Sequence, residues 1–197
     1  MKAAAAPPLL AIFVGGKSRR MGEHKGLLLV PGGRQSILEA LVARGRHAGF
    51  DPVLVGDATP YKRLARDVLR IDDDPPGTGP LGGLRAVLDH AARTGGSHIV
   101  AIACDMPYVT AEALQEVYGH RSAALVVAPR RDPESPWEPM LARYDAVRLA
   151  GVVAQAIARG QRSFQKLFAS IEVDALPLTP AIERALEDWD TPEDVRR

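Results

Sequence analysis

The chain has 197 residues, 46% of them apolar and 25% charged, with a formal net charge of +1 and a single cysteine. That length suits one domain, spanning 1–197, able to bury about two-thirds of its unfolded surface. Near-neutrality argues against broad attraction to nucleic acid or membrane, so electrostatic function must be local. Cys104 alone excludes an intramolecular disulfide and a multi-cysteine metal site, and fits a reducing, cytoplasmic compartment.

Residues 1–8 read as a disordered tail. Met1-Lys2 and the alanines after it superficially resemble a secretory leader, but Pro7-Pro8 interrupts the run and a basic glycine loop follows where a cleavage site belongs. No stretch approaches the roughly 20 apolar residues needed to span a bilayer. The apolar run 9–14 predicts a buried strand. It leads at once into Gly15-Gly16-Lys17-Ser18-Arg19-Arg20-Met21-Gly22-Glu23-His24-Lys25. The adjacent glycines permit a sharp turn and close approach to a ligand. Lys17, Arg19, Arg20 and Lys25 face one acid, Glu23, so the loop suits a polyphosphate, although a solvated basic turn has the same composition. A Walker loop ending at Gly16-Lys17-Ser18 would need glycine where Ala11 stands, and G-x-G-x-x-G fails for want of a glycine before Gly22.

Farther along, 26–30 predicts a short extended piece turned by Pro31-Gly32-Gly33. Ser36 and Glu39 form a capping box for a helix closing near Gly49. A strand is expected at 52–55, a helix from Thr59-Pro60, and a short strand at 68–71. Residues 81–92 read as a helix ended by Gly95-Gly96, and the β-branched run 98–103 as a central strand. Thr110 caps a helix to about Gly119, and 123–128 is the next strand. The polar, proline-rich 129–137 region predicts a mobile loop. Then come a strand at 140–144, a helix at 146–159, a helix at 163–169, an extended piece at 171–176 and a helix at 180–187. Apolar runs alternating with helical patterns define an α/β protein with a mostly parallel sheet.

Ligands of open α/β sheets bind beyond the carboxyl ends of the strands, above all where strand order reverses. The residues expected to converge there are the 15–25 loop, Gly56-Asp57, Asp72 to Gly79, Cys104-Asp105, and Pro129 to Arg131. Asp105, at the end of the most core-like strand, is poorly explained by packing. It could hold Mg²⁺, which takes one or two carboxylates plus substrate phosphates, or it could cap a turn. Cys104 reads as a small buried filler, having no partner base. Gly77-Thr78-Gly79-Pro80-Leu81-Gly82-Gly83 makes a strand-to-helix turn and could pass close to a base or ribose. The five histidines show no ligand-like pair, and no basic aromatic stripe suggests single-strand binding.

Gly15, Gly16, Ser18, Arg20, Met21, Gly22 and Lys25 resemble the opening motif of the molybdenum cofactor guanylyltransferase family, L-A-G-G-x-S-x-R-M-G-x-x-K. Phe13-Val14 replace its Leu-Ala, leaving backbone contacts possible. Cys104-Asp105-Met106-Pro107 is similar to the segment whose aspartate binds magnesium, and Gly79-Pro80-Leu81-Gly82-Gly83 to its G-P-L-A-G. Trp137 to Tyr144 resembles the segment that precedes the family's second half. Asp188-Trp189-Asp190-Thr191-Pro192-Glu193-Asp194 stands where the family has N-x-N-T-P-E-D, two aspartates replacing two asparagines.

The resemblance runs from Leu9 to about Val195. It implies a three-layer α/β/α, Rossmann-like fold of the nucleotide-diphospho-sugar transferase type, and transfer of GMP from GTP to molybdopterin with release of pyrophosphate. Lys25, Arg20 and Asp105 would be catalytic. Nucleotide contacts would come from Phe13, Val14, Gly15, Gly16, Lys25, Gly56, Asp72 or Asp73, Gly79 and Asp105, with Mg²⁺ on Asp105. Arg159 and Arg162 could meet the phosphate of the acceptor, molybdopterin with or without molybdenum, or simply end a solvated helix. The resemblance also implies transient contact with enzymes that make or accept the cofactor. Three other readings stay open: a molybdopterin cytidylyltransferase using CTP, a transferase using another phosphorylated acceptor, and a non-catalytic nucleotide-binding or carrier module.

Overall fold

A computed structural model describes residues 7–14 and 24–187 of the chain. Among them are seven strands: β1 (Leu9–Phe13), β2 (Asp51–Val55), β3 (Leu69–Ile71), β4 (His98–Ala103), β5 (Val126–Pro129), β6 (Ala142–Asp145) and β7 (Val173–Leu176). They form one sheet in the order β3-β2-β1-β4-β6-β5-β7, parallel throughout except for β6, which runs antiparallel to β4 and β5. The helices are α1 (Ile37–His47), α2 (Pro80–Arg93), α3 (Ala111–Gly119), α4 (Ala146–Ala158), α5 (Phe164–Phe168) and α6 (Pro180–Ala185).

Successive strand side chains point to opposite faces, and two cores follow. Leu10, Ile12, Leu54, Val100 and Ile102 pack with α1, α3 and α6 on one face. Leu9, Ala11, Phe13, Val53, Val55, Ile99 and Ala101 pack with α2, α4 and α5 on the other. The result is the three-layer α/β arrangement. β1 is buried from end to end, which is why its sequence reads as an unbroken apolar run rather than an alternation.

The Ser36 capping box forms as the sequence predicts. Glu39 N–H donates to Ser36 Oγ at 3.2 Å, and Ser36 N–H to Glu39 Oε2 at 2.9 Å. Three local expectations are corrected. Residues 26–30 do not form an extended piece: Lys25–Leu27 is a 3-10 turn closed by Leu27 N–H on the His24 carbonyl, and only Leu29 bridges, to Ser36. Thr59-Pro60 opens no α-helix but a single 3-10 turn, Thr59–Tyr61. There the Asp57 carboxylate takes the Thr59 N–H at 3.0 Å, an Asx turn that competes with helical bonding. The strand expected at 140–144 starts two residues later, because Leu141 sits at φ 75° and breaks the extended run.

β1 connects forward to β2 on one side but lies beside β4 on the other, so strand order reverses between β1 and β4. Register aligns the ends there: Phe13 pairs with both Val55 and Ala103, and Val55 with Ile71. The carboxyl ends of β1, β2, β3 and β4 thus form one row.

At the far side of the sheet, the buried guanidinium of Arg143 on β6 donates to the carbonyls of Tyr118, His120 and Ser122. Tyr118 and His120 end α3, where carbonyls lack helical partners, and Ser122 follows just after. Arg143→Met keeps the apolar stem and strips the donors. It is expected to cost about 2–4 kcal/mol, read as a lower midpoint in urea denaturation; an unchanged midpoint would contradict the assignment.

Candidate active site

The row of strand ends is knitted by backbone bonds one residue farther on. Val14 N–H donates to Val55 O, Gly56 N–H to Ile71 O and Cys104 N–H to Phe13 O, at 3.0, 2.9 and 3.1 Å. Phe13, Val14, Gly56 and Asp105, separated widely in sequence, are brought to one edge. Gly15, Gly16 and Arg20, with the rest of 15–23, lie outside the described residues, as do Asp188 and Asp190. The chain is described again from His24, and Lys25 opens the 3-10 turn.

Lys25 Nζ donates to Asp105 Oδ2 at 2.9 Å, joining positions 80 residues apart. Both side chains are mostly buried, 13% and 21% exposed. Asp105 stands on a braced loop. Arg44 of α1 donates to the carbonyls of Pro107 and Val109 at 2.7 and 2.9 Å, Met106 is buried, and the Arg184 guanidinium lies 3.7 Å from the Tyr108 ring centre. The sequence gives no sign of Arg44's role, because an arginine near a helix C-terminus is what the helix dipole already favours.

Cys104 is no nucleophile. Burial, reinforced by Asp105, pushes its thiol up to about 11, so the reactive thiolate is scarce at neutral pH.

The second glycine-rich loop leads into α2. Of the two aspartates expected here, Asp72 is exposed and Asp73 half-buried against the start of α2. Burial, then the neighbouring Asp72 charge, raises the Asp73 carboxyl above the ordinary aspartate value. Asp74 instead turns toward Arg85, at 4.0 Å. Close approach is what demands glycine at Gly83: a Cβ there would lie 2.7 Å from Val55 Cγ1, 2.9 Å from Asp73 Oδ1 and 3.1 Å from Phe13 Cε1. Gly79 caps α2 at φ 68°, and a Cβ on it would lie 3.5 Å from the Arg162 carbonyl. The turn after α4, carrying Arg159 and Arg162, therefore borders the same edge.

The 129–137 loop is held at both ends. Glu138 N–H donates to Pro129 O at 2.9 Å, and the Trp137 backbone exchanges two hydrogen bonds with the Gln165 amide, at 3.1 and 2.6 Å. Arg130 stacks 4.3 Å from the Trp137 ring centre. Histidine plays little part: His24 packs edge-on against Tyr61.

Among the described residues, no three His, Cys, Asp or Glu side chains gather as a metal cage. What the edge offers is one mostly buried carboxylate beside one ammonium. That donor set fits a hard divalent ion whose other ligands are substrate phosphate oxygens and water, and does not fit a permanently held structural metal.

Residues 10–175 match the model of the MobA-like NTP transferase domain. The chain belongs to this family. The matched span runs from β1 into β7, so it includes part or all of every strand of the sheet. A molybdenum cofactor guanylyltransferase from Xanthomonas euvesicatoria is 33% identical over 187 residues, covering 92% of this chain and 89% of that protein. The structure of molybdopterin-guanine dinucleotide biosynthesis protein A from Archaeoglobus fulgidus superposes with a TM-score of 0.75 at 25% identity, covering 95% of each chain. The 2-C-methyl-D-erythritol 4-phosphate cytidylyltransferase of Thermus thermophilus shares the fold, with a TM-score of 0.66, at 12% identity and 94% coverage of each. The MobA-like chain is a nucleotidyltransferase, and its strand-end edge is the place where this fold class binds ligands.

Two outcomes test this geometry. Gly83→Ala is expected to lose about 1–3 kcal/mol of stability by thermal unfolding, since Val55, Asp73 and Phe13 must all give way. Alkylation of native Cys104, which is half-buried, by iodoacetamide is expected to be slow at pH 8 and to accelerate only as pH approaches about 11; reaction at the rate of a free thiol at pH 8 would refute the neutral state.

Proposed function

We propose that this MobA-like transferase joins GMP from GTP to the terminal phosphate of molybdopterin, releasing pyrophosphate and giving the guanine dinucleotide form of the cofactor. The observation that carries the reading is the Lys25–Asp105 pair at the β1/β4 strand-order reversal, beside a loop whose sequence suits polyphosphate. The named activity of the Xanthomonas relative supplies the substrate class.

A phosphate monoester is already ionised at neutral pH, so the acceptor needs no strong general base. The protein's work is to align the attacking oxygen with the α-phosphate and to stabilise charge on the departing pyrophosphate. Lys25 supplies a fixed positive charge for the triphosphate, and Arg20 adds another. Asp105 would hold Mg²⁺, which supplies charge neutralisation and a template for the phosphate oxygens. Asp73, with Asp72 beside it, offers carboxylate oxygens as acceptors for N–H groups of a guanine or for ribose hydroxyls. Phe13, Val14, Gly15, Gly16, Gly56 and Gly79 present backbone groups to the nucleotide. Arg162, whose backbone borders Gly79, and Arg159 three residues before it would meet the acceptor's phosphate.

The Lys25–Asp105 pair must part when substrate enters, each side chain exchanging its partner for phosphate or metal. Parting a mostly buried pair leaves each charge in need of a new partner, which phosphate supplies to Lys25 and the metal to Asp105. One cysteine and phosphorylated substrates suit a cytoplasmic enzyme. No helix among the described residues is long and apolar enough to cross a membrane.

The deciding experiment follows pyrophosphate release with Mg²⁺ and molybdenum-bound molybdopterin, comparing GTP with CTP. Release with GTP is expected. Release with CTP alone would reassign the base while keeping the site. Asp105→Asn is expected to lower turnover by about 10²-fold or more with thermal unfolding nearly unchanged. Activity close to that of the unaltered protein would remove Asp105 from the mechanism.

A further inference from the structure

Lys25 and Asp105 arrive on separate segments, and both segments lean on a third. Tyr61 ends the 3-10 turn that follows β2, and its ring is 1% exposed. On one side the ring fills the space beside Gly26, the residue after Lys25: a Cβ on Gly26 would lie 2.9 Å from Tyr61 Cε1 and 3.3 Å from both Cζ and the hydroxyl oxygen. The His24 ring, on the residue before Lys25, meets the same ring edge-on with centres 6.0 Å apart. On the other side the Tyr61 hydroxyl lies 3.9 Å from Cys104 Sγ, on the residue before Asp105.

We propose that Tyr61 is the positioning residue of this site, one buried ring that fixes the backbone beside Lys25 and the backbone beside Asp105 at the spacing the transfer requires. The proposal rests on Lys25 and Asp105 acting on the nucleotide, as argued above, and adds what keeps them in place. The ion pair itself is given up when substrate binds, so it cannot be what holds the two segments in place through the reaction. The ring contacts do not depend on that pair. They persist while Lys25 turns to phosphate, so the two anchor points stay fixed through the reaction. Burial pushes the phenol well above its ordinary pKa, with Cys104 and Asp105 adding to the rise, so the hydroxyl stays neutral at working pH. Tyr61 is therefore a wedge and a hydrogen-bonding group, with no role as an acid or base. Its own turn is anchored independently: Leu64 and Ala65 N–H both donate to the Tyr61 carbonyl, at 3.0 and 3.2 Å.

The test is a coupling measurement. Tyr61→Leu is expected to lower kcat/KM for pyrophosphate release by about 100-fold, the scale of a 1 Å misplacement. In a Lys25→Ala background, measured in single turnover, the same change should cost less than about 3-fold, because its effect passes through Lys25. Tyr61→Phe, which keeps the ring, should restore activity to within about 5-fold of the unaltered protein. Equal losses with and without Lys25 would overturn the proposal, as would undiminished activity in Tyr61→Leu. Should Tyr61→Leu fail to fold, Gly26→Ala presses a methyl against the same ring from the opposite side and must show the same dependence on Lys25; additive losses there would also overturn it. Absence of turnover in the unaltered protein would count against the proposed reaction alone. The Lys25–Asp105 distance in crystals of Tyr61→Leu then decides the positioning role: separation supports it, and a retained 2.9 Å contact refutes it.

Discussion

Everything at the candidate site depends on β1 being paired on both edges. Its backbone bonds β2 on one side and β4 on the other in matching register, so Phe13 faces Val55 and Ala103 together. Because β1 is also covered by helices on both faces, it has no freedom to slide. A slip of one residue would turn Leu10 and Ile12 out of one core and Leu9, Ala11 and Phe13 out of the other. The same register that keeps both cores filled holds the strand ends level. A site made from residues 13, 56, 72 and 105 exists only because those ends are level.

On that platform the proposed chemistry uses exchangeable contacts set over permanent ones. The ion pair of Lys25 with Asp105 is the exchangeable part. Beneath it lie bonds that no substrate displaces: Arg44 on the carbonyls of Pro107 and Val109, Met106 in the core, Tyr61 wedged beside Gly26 and Cys104. Preorganised charge is worth more in a site that does not have to reorganise, and in the proposed reaction these supports would spare Lys25 and Asp105 that reorganisation. The tight seating of α2 at Gly83 does the same for Asp73, holding a carboxylate where burial makes its charge costly and hence makes a hydrogen-bonding ligand welcome.

Much of this was legible in the chain. The apolar runs at 9–14 and 98–103, the Ser36-Glu39 box and the Thr110 cap each carry a local physical signal, and each forms as read. The misreadings occur where a tertiary neighbour outbid a local preference. Thr59-Pro60 has the chemistry of a helix start, yet Asp57 captures the Thr59 N–H and Tyr61 is drawn into the core, stopping the helix at one turn. Residues 26–30 look extended, but Gly26 curls against Tyr61. Neither Tyr61 nor Arg44 stands in a motif, and an aromatic residue after a proline or a basic residue at a helix end is ordinary in any sequence.

By itself, then, the sequence determined the α/β class, the order of its elements, and a basic, glycine-rich stretch directly after the first strand, because periodicity, capping and backbone freedom are properties of neighbouring residues. Only the tertiary structure decided that β6 runs antiparallel between β4 and β5, and that Asp73 rather than Asp72 is tucked against α2. It alone decided that Lys25 meets Asp105 across 80 positions, and that a tyrosine from a third segment stands behind both. Those facts are contacts between segments far apart in the chain. Their energies depend on which surfaces the two cores bring together, and no local pattern of residues encodes that.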